Sequence, residues 1–88
     1  MGNFVGGSAY AMVNQVAEGY LLVTEKTFQR MAAGDLSALT FEIDKKLREI
    51  RGEPTPQDTQ DVQKRNRRLQ RLTSCRRMLA SFRQRRRV

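Results

Sequence analysis

The sequence predicts an all-α protein of three helices, and three observations support this fold class. Apolar residues recur at spacings of three and four along most of the chain, which places them on one face of each helix. Glycine and proline stand mainly at the points that separate these amphipathic segments. The 88 residues are enough for one domain with a single small core.

Residues 8–33 are predicted to form the first helix, after a flexible glycine-rich N-terminus at residues 1–7. Ser8 is a favourable N-cap, because its side chain can accept a hydrogen bond from a backbone N–H of the first turn. Apolar residues at helical spacing follow it, and Tyr20 widens the face that they form. Gly34 is expected to end the helix in the left-handed conformation that glycine adopts without strain.

Residues 36–51 are predicted to form the second helix, with Asp35 as its N-cap and Gly52 after its last turn. Pro54 prevents continuation, because proline lacks the backbone N–H that a helix interior requires. A narrow apolar stripe on this helix is expected to lie in the core or in a contact between subunits. Its members are Leu36, Leu39, Ile43, Leu47 and Ile50.

Residues 56–85 are predicted to form the third helix, which has the clearest start signal in the chain. Thr55 is the expected N-cap, Pro56 takes the first helical position, and Asp58 follows three residues after the cap. The connection at residues 52–54 is so short that the second and third helices are expected to form an antiparallel hairpin. The core face of the third helix consists of Leu69, Leu72, Leu79 and Phe82.

The lengths of these helices favour self-association. At 1.5 Å per residue the third helix would be roughly 45 Å long and the second about 24 Å, which leaves about 20 Å without a partner in the hairpin. Several apolar residues also remain outside the three stripes. Burying this surface against a second copy predicts a homodimeric bundle.

Charge is distributed unevenly along the chain, whose net charge is +8. The first 61 residues hold six bases and nine acids, whereas the remaining 27 hold eleven bases and no acid. Such asymmetry indicates a polyanionic partner, and arginine has the planar fork that suits phosphate and carboxylate groups. The candidate polyanion-binding residues are Lys64, Arg67, Arg68, Arg71, Arg76, Arg77, Arg83, Arg85, Arg86 and Arg87.

A helical wheel divides these bases by their distance from the leucine stripe. One group points away from the stripe to solvent, namely Lys64, Arg67, Arg71 and Arg77. A second group lies on the flanks, where long stems can cover apolar surface, namely Arg65, Arg68, Arg76 and Arg83.

Nucleic acid, bound through phosphates without strong sequence readout, is the leading expectation for the ligand. Neutralising six phosphates would give a slope near −5 in a log–log plot of duplex affinity against salt. Phe82 is the only aromatic residue in the basic segment that could stack on a base. The alternatives are an adaptor that docks an acidic protein surface and a protein that lies on anionic lipid.

Other function classes are disfavoured by composition. The chain has no His, and its single Cys75 can form neither an internal disulfide nor a cysteine-based zinc site. Its carboxylates are scattered among lysines on polar helix faces, so no enzyme activity, metal or cofactor is expected. Cys75 lies on an apolar face and is expected to be a buried thiol. The lone thiol and the lack of a secretory signal favour the cytoplasm.

Overall fold

Four α-helices make up the fold in the computed structural model, which describes residues 7–86. They are α1 (Ala9–Glu18), α2 (Glu25–Gln29), α3 (Ala33–Gly52) and α4 (Thr59–Arg86). The described part of the chain contains no strand, so the all-α class is confirmed. The prediction of three helices is wrong, because the segment predicted as the first helix forms two separate helices, α1 and α2. Flexibility is predicted for residues 1–7, of which residues 1–6 lie outside the described residues.

The predicted helix at 8–33 is interrupted at Gly19. Ser8 is its N-cap as predicted, and its side chain accepts a hydrogen bond from the Ala11 N–H at 3.1 Å. Gly19 has φ +84°, the left-handed region in which glycine has no steric penalty. The Tyr20 N–H then donates to the Gln15 carbonyl at 2.9 Å, which completes a Schellman motif and ends α1.

The short helix α2 begins at Glu25, directly after the five-residue segment that follows Gly19. The side chain of Thr27 accepts a hydrogen bond from the backbone N–H of Thr24 at 3.3 Å, which fixes its first turn. Phe28 is fully buried, and its ring centroid lies 5.7 Å from that of Phe82 on α4. This aromatic pair attaches α2 to the C-terminal part of α4.

The start of α3 differs from the prediction, because the helix begins at Ala33 instead of residue 36. Gly34 therefore lies inside the first turn and does not end a preceding helix. The carboxylate of Asp35 accepts a hydrogen bond from the Ala32 N–H at 3.1 Å, the return half of a capping interaction. Asp35 thus stabilises the N-terminus from the third helical position and not as the N-cap.

The start of α4 is also displaced, to Thr59. Asp58 provides the cap predicted for Thr55: its carboxylate accepts from the Gln60 N–H at 2.9 Å, and its carbonyl accepts from the Val62 N–H at 3.0 Å. From there α4 is one unbroken helix of 28 residues, about 42 Å long. This length matches the longest dimension of the molecule, 42 Å.

The core lies between α1, α3 and α4, with α2 against α4. The contacts of α3 with α4 run in opposite sequence order, from Thr40 with Arg83 to Ile50 with Arg65, so the two helices are antiparallel. The predicted stripe of α3 is buried: Leu36, Leu39, Ile43, Leu47 and Ile50. On α4, Leu72 and Leu79 are buried, while Leu69 and Phe82 are partly buried against the same core.

Candidate functional site

The basic face of α4 separates into groups according to what each side chain contacts. Lys64, Arg67 and Arg77 are exposed, and their side chains form no hydrogen bond or ion pair with any other described residue. We call these three the unpaired bases. At 1.5 Å per residue, Lys64 and Arg77 lie about 20 Å apart along the helix axis.

Three other arginines of α4 are paired with carboxylates of the same chain. Their partners lie on α2, on α3 and just after α3. We call them the paired arginines: Arg68 with Glu53 (3.3 Å), Arg76 with Asp44 (2.9 Å), and Arg85 with Glu25. These contacts are partly or fully exposed to solvent, so each contributes at most about 1 kcal/mol to stability. Their positive charge is nevertheless largely offset before any ligand arrives.

Two further arginines hold the C-terminal ends of neighbouring helices. Arg71 donates from Nη1 to the Ala17 carbonyl of α1 at 3.0 Å, and Arg65 donates from Nε to the Ile50 carbonyl of α3 at 3.4 Å. The last carbonyls of a helix lack intrahelical partners and carry partial negative charge, which a guanidinium satisfies. Arg71 remains exposed while it makes this contact.

Gly19 allows Arg71 to reach α1. A Cβ atom at this position would lie 2.9 Å from the Arg71 Cζ, closer than real Cβ atoms approach another heavy atom. Glycine is therefore favoured at position 19 for two reasons: the backbone has a positive φ, and the guanidinium of Arg71 occupies the space of a Cβ atom. The contact between Gly19 and Arg71 is tertiary, and its only trace in the sequence is a glycine inside the segment predicted as one helix.

Arg83 binds hydroxyl groups instead of a charge. Its Nη1 donates to the Thr40 Oγ1 at 3.2 Å, and its Nη2 donates to the Ser37 Oγ at 3.1 Å. The prediction for Arg86 and Arg87 cannot be placed in this way, since Arg87 and the side chain of Arg86 lie outside the described residues.

The exposure of the bases follows the division made by the helical wheel. The four that were predicted to face solvent are exposed, and the four predicted on the flanks, including Arg65 and Arg68, are partly buried. Helical periodicity does not predict which carboxylate each arginine of α4 contacts. The carboxylates of Asp44 and Glu53 meet α4 only because of the register between α3 and α4.

An open cleft of about 490 Å³ adjoins the N-terminal half of α4, and we call it the basic cleft. Its walls combine five bases with three acids, so the cleft retains a local excess of two positive charges. The bases are Lys64, Arg65, Arg67, Arg68 and Arg71, and the acids are Glu18, Glu53 and Asp61. Two of the unpaired bases therefore share this cleft with the exposed Arg71.

Aromatic residues near the basic face are placed differently from the prediction. Phe82 is packed on Phe28 and is partly buried, so it is not presented for stacking on a base. Tyr20, predicted on the apolar face of the first helix, is 84% exposed in the non-helical segment after Gly19. Leu22 in the same segment is 88% exposed.

A second, apolar groove of about 220 Å³ lies between this segment and α4, and we call it the apolar groove. Leu21, Leu22 and Met78 contribute to its walls, and Arg71 stands at its boundary with the basic cleft, since it lines both. Cys75 also lines it but is itself buried, and desolvation raises the pKa of its thiol from 9.0 to about 11. A thiol with so high a pKa is a poor nucleophile at neutral pH.

The described residues contain no group of three or more His, Cys, Asp or Glu side chains that could hold a metal ion. None of the helices in that same part of the chain is both long and apolar enough to cross a membrane. No protein-family model matches the sequence, and neither a curated protein nor a solved structure resembles it closely enough to count as a match. Its function is therefore inferred from its own residues.

Proposed function

We propose that this chain is a non-enzymatic protein that binds nucleic acid through the exposed face of α4, by contacts to phosphates and without strong sequence readout. The observation that carries the proposal is the row of unpaired bases. Six arginines of α4 contact the chain's own carboxylates, carbonyls or hydroxyls, yet Lys64, Arg67 and Arg77 remain exposed with no partner among the described residues.

The dimensions of this face suit a nucleic-acid backbone. The roughly 20 Å between Lys64 and Arg77 corresponds to about six nucleotides at 3.4 Å per nucleotide along one strand of B-DNA. Exposed polar side chains occupy the intervening positions: Asn66, Gln70 and Ser74. Amide and hydroxyl groups of this kind commonly bind phosphate oxygens and fix the position of a backbone without reading bases.

The basic cleft supports the same ligand class. Its walls hold five bases and three acids, and this local excess of positive charge attracts an anion. Arg71 is exposed there and donates to the Ala17 carbonyl. Because a carbonyl carries no net charge, the positive charge of Arg71 is not cancelled.

Two triple variants of equal charge change test the proposal. The first, K64Q/R67Q/R77Q, removes the unpaired bases; the second, R68Q/R76Q/R85Q, removes the paired arginines. With a labelled oligonucleotide at about 50 mM salt, the first variant is expected to lose about 100-fold in affinity, because three phosphate contacts are lost. The second is expected to lose only a few-fold, since its arginines already contact carboxylates.

The result that overturns the proposal is equal loss in both variants, or no salt-dependent binding by the unaltered chain. Arg71 is retained in both variants, because its removal would also release the end of α1. Thermal unfolding checks that each variant is folded; exposed ion pairs are expected to change stability little.

A second candidate function is a homo-oligomeric adaptor that docks an acidic protein surface. Exposed aromatic surface on α3 and α1 favours it: Phe41 is 60% exposed and Tyr10 57% exposed. Sedimentation velocity of the unaltered chain and of Phe41→Ala tests the dimer, and a stoichiometric acidic partner that survives nuclease treatment would favour the adaptor. The buried single thiol suits the reducing cytoplasm, where we place the protein.

A further inference from the structure

Resting on the nucleic-acid binding proposed above, we infer that the preferred ligand is single-stranded, and that Tyr20 is a platform on which one of its bases stacks. Proteins that bind single strands combine a positively charged groove with aromatic side chains, because every base has a face that an aromatic ring can cover. In the described residues Tyr20 directly follows Gly19, which lies against the guanidinium of Arg71, and Arg71 lines the basic cleft.

The position of Tyr20 follows from the end of α1. Gly19 lies directly against the guanidinium of Arg71, and Tyr20 is one peptide further on, about 3.8 Å away between Cα atoms. Its backbone is held by the hydrogen bond of its N–H to the Gln15 carbonyl at 2.9 Å. The residue is 84% exposed, so its side chain extends into solvent from an anchored backbone.

Arg71 connects the two parts of the surface. On one side it lines the basic cleft with Lys64 and Arg67, and on the other it lines the apolar groove with Leu22 and Met78. A strand whose phosphates follow the unpaired bases would bring successive bases to this boundary. Tyr20 lines neither the cleft nor the groove, but its neighbours Gly19 and Leu21 line the apolar groove, so its exposed side chain starts from the edge of this surface. In the proposed complex one base stacks on the Tyr20 ring and a neighbouring base lies in the apolar groove.

Duplex nucleic acid does not use such a surface, because its bases are already stacked on one another and their edges alone are accessible in the grooves. The exposed Tyr20 and Leu22 therefore add affinity only for a strand with unpaired bases. Tyr20 and Leu22 are 84% and 88% exposed, and stacked bases would remove part of this apolar surface from water.

The experiment compares Tyr20→Ala with the matched control Tyr10→Ala, the only other tyrosine in the chain. Tyr10 is 57% exposed but borders Glu42 and Lys45 of α3, away from Arg71. The probes are labelled oligo(dT), oligo(U) and a mixed-sequence duplex of about 12 nucleotides per strand, within the site sizes of single-strand binders. Affinity is measured by fluorescence anisotropy.

Tyr20→Ala is expected to weaken binding of both single strands about 5- to 100-fold and to leave duplex affinity unchanged. Tyr20→Phe, which keeps the ring, is expected to stay within about twofold, as is Tyr10→Ala. In NMR spectra the ring protons of Tyr20 should move upfield on oligo(dT) addition, while those of Tyr10 should not. A preference for oligo(dT) or for oligo(U) would identify the kind of strand.

Single-strand affinity unchanged in Tyr20→Ala, or weakened equally for duplex, would overturn the stacking role. If the unpaired bases still govern salt-dependent binding in that case, the proposed function stands and only this inference fails. If no nucleic acid binds, both fail.

Discussion

Replacement of Gly19 by alanine distinguishes the observed fold from a continuous first helix, because the two structures predict opposite changes in the free energy of unfolding. In a continuous helix over 8–33, Gly19→Ala would stabilise the protein by about 1 kcal/mol, because alanine has the higher helix propensity. In the observed fold, Gly19 has φ +84°, which costs an alanine about 1–2 kcal/mol. The two structures therefore predict opposite changes.

Contact with Arg71 adds to the free energy of unfolding that Gly19→Ala is expected to lose. The new Cβ would lie 2.9 Å from Cζ and 3.1 Å from both terminal nitrogens of that side chain, so the guanidinium must shift and its bond to the Ala17 carbonyl is strained. Complete loss of that bond would cost about 1 kcal/mol. The total is therefore about 1–3 kcal/mol, which lowers the melting temperature of a domain this size by roughly 5–20 °C.

Thermal and urea unfolding followed by circular dichroism measure this change. In an Arg71→Gln background the collision disappears, so the cost of Gly19→Ala is expected to fall to the strain alone, about 1–2 kcal/mol. A stabilising effect of Gly19→Ala in the unaltered chain would refute the break at this residue.

Three further predictions concern stability and reactivity. Asp58→Ala is expected to destabilise the protein by about 1 kcal/mol through loss of the α4 cap, and Thr55→Ala by less than about 0.5 kcal/mol, in urea unfolding; equal costs would contradict the observed cap. Phe28→Ala is expected to cost about 3–5 kcal/mol because the ring is fully buried, whereas Phe41→Ala, with its exposed ring, should cost little; similar melting temperatures for the two variants would be inconsistent with this core. Because the pKa of Cys75 is raised from 9.0 to about 11, the folded state binds the thiol proton more tightly than the unfolded chain. The resulting stabilisation is present below pH 9.0 and lost as the pH rises through about 11, and labelling by a thiol reagent at about pH 8 should be far slower in the folded protein than in denaturant. A reaction as fast in the folded protein as in denaturant would disprove the burial of this thiol.

The helical class and the apolar face of α3 could be predicted from the sequence because both depend on local spacing. The break at Gly19 could not be found by spacing alone, since apolar residues such as Leu21 and Phe28 keep helical intervals across it. The segment from Tyr20 to Val23 is not helical in the structure, and Leu22 lies outside the core. Periodicity records which residues are apolar, and it does not record where the backbone turns.

The candidate site divides in the same way. Exposure of Lys64, Arg67 and Arg77 follows from their angular position on one helix, which the sequence contains. The pairing of Arg76 with Asp44 requires a particular register between two helices and is set by core packing, which spacing within one helix does not encode. For this reason the sequence alone does not show which of the predicted binding residues contact carboxylates of the same chain.

The salt dependence of binding by the unaltered chain tests the central claim most directly. Log affinity for a labelled oligo(dT) is plotted against log salt concentration. Three unpaired bases together with the exposed Arg71 predict a slope between about −2 and −3 for a single strand, at 0.7 per phosphate contacted. This is shallower than the slope near −5 expected for six phosphates of a duplex. A slope close to zero, or no binding at about 50 mM salt, would contradict the assignment of α4 as a nucleic-acid-binding surface.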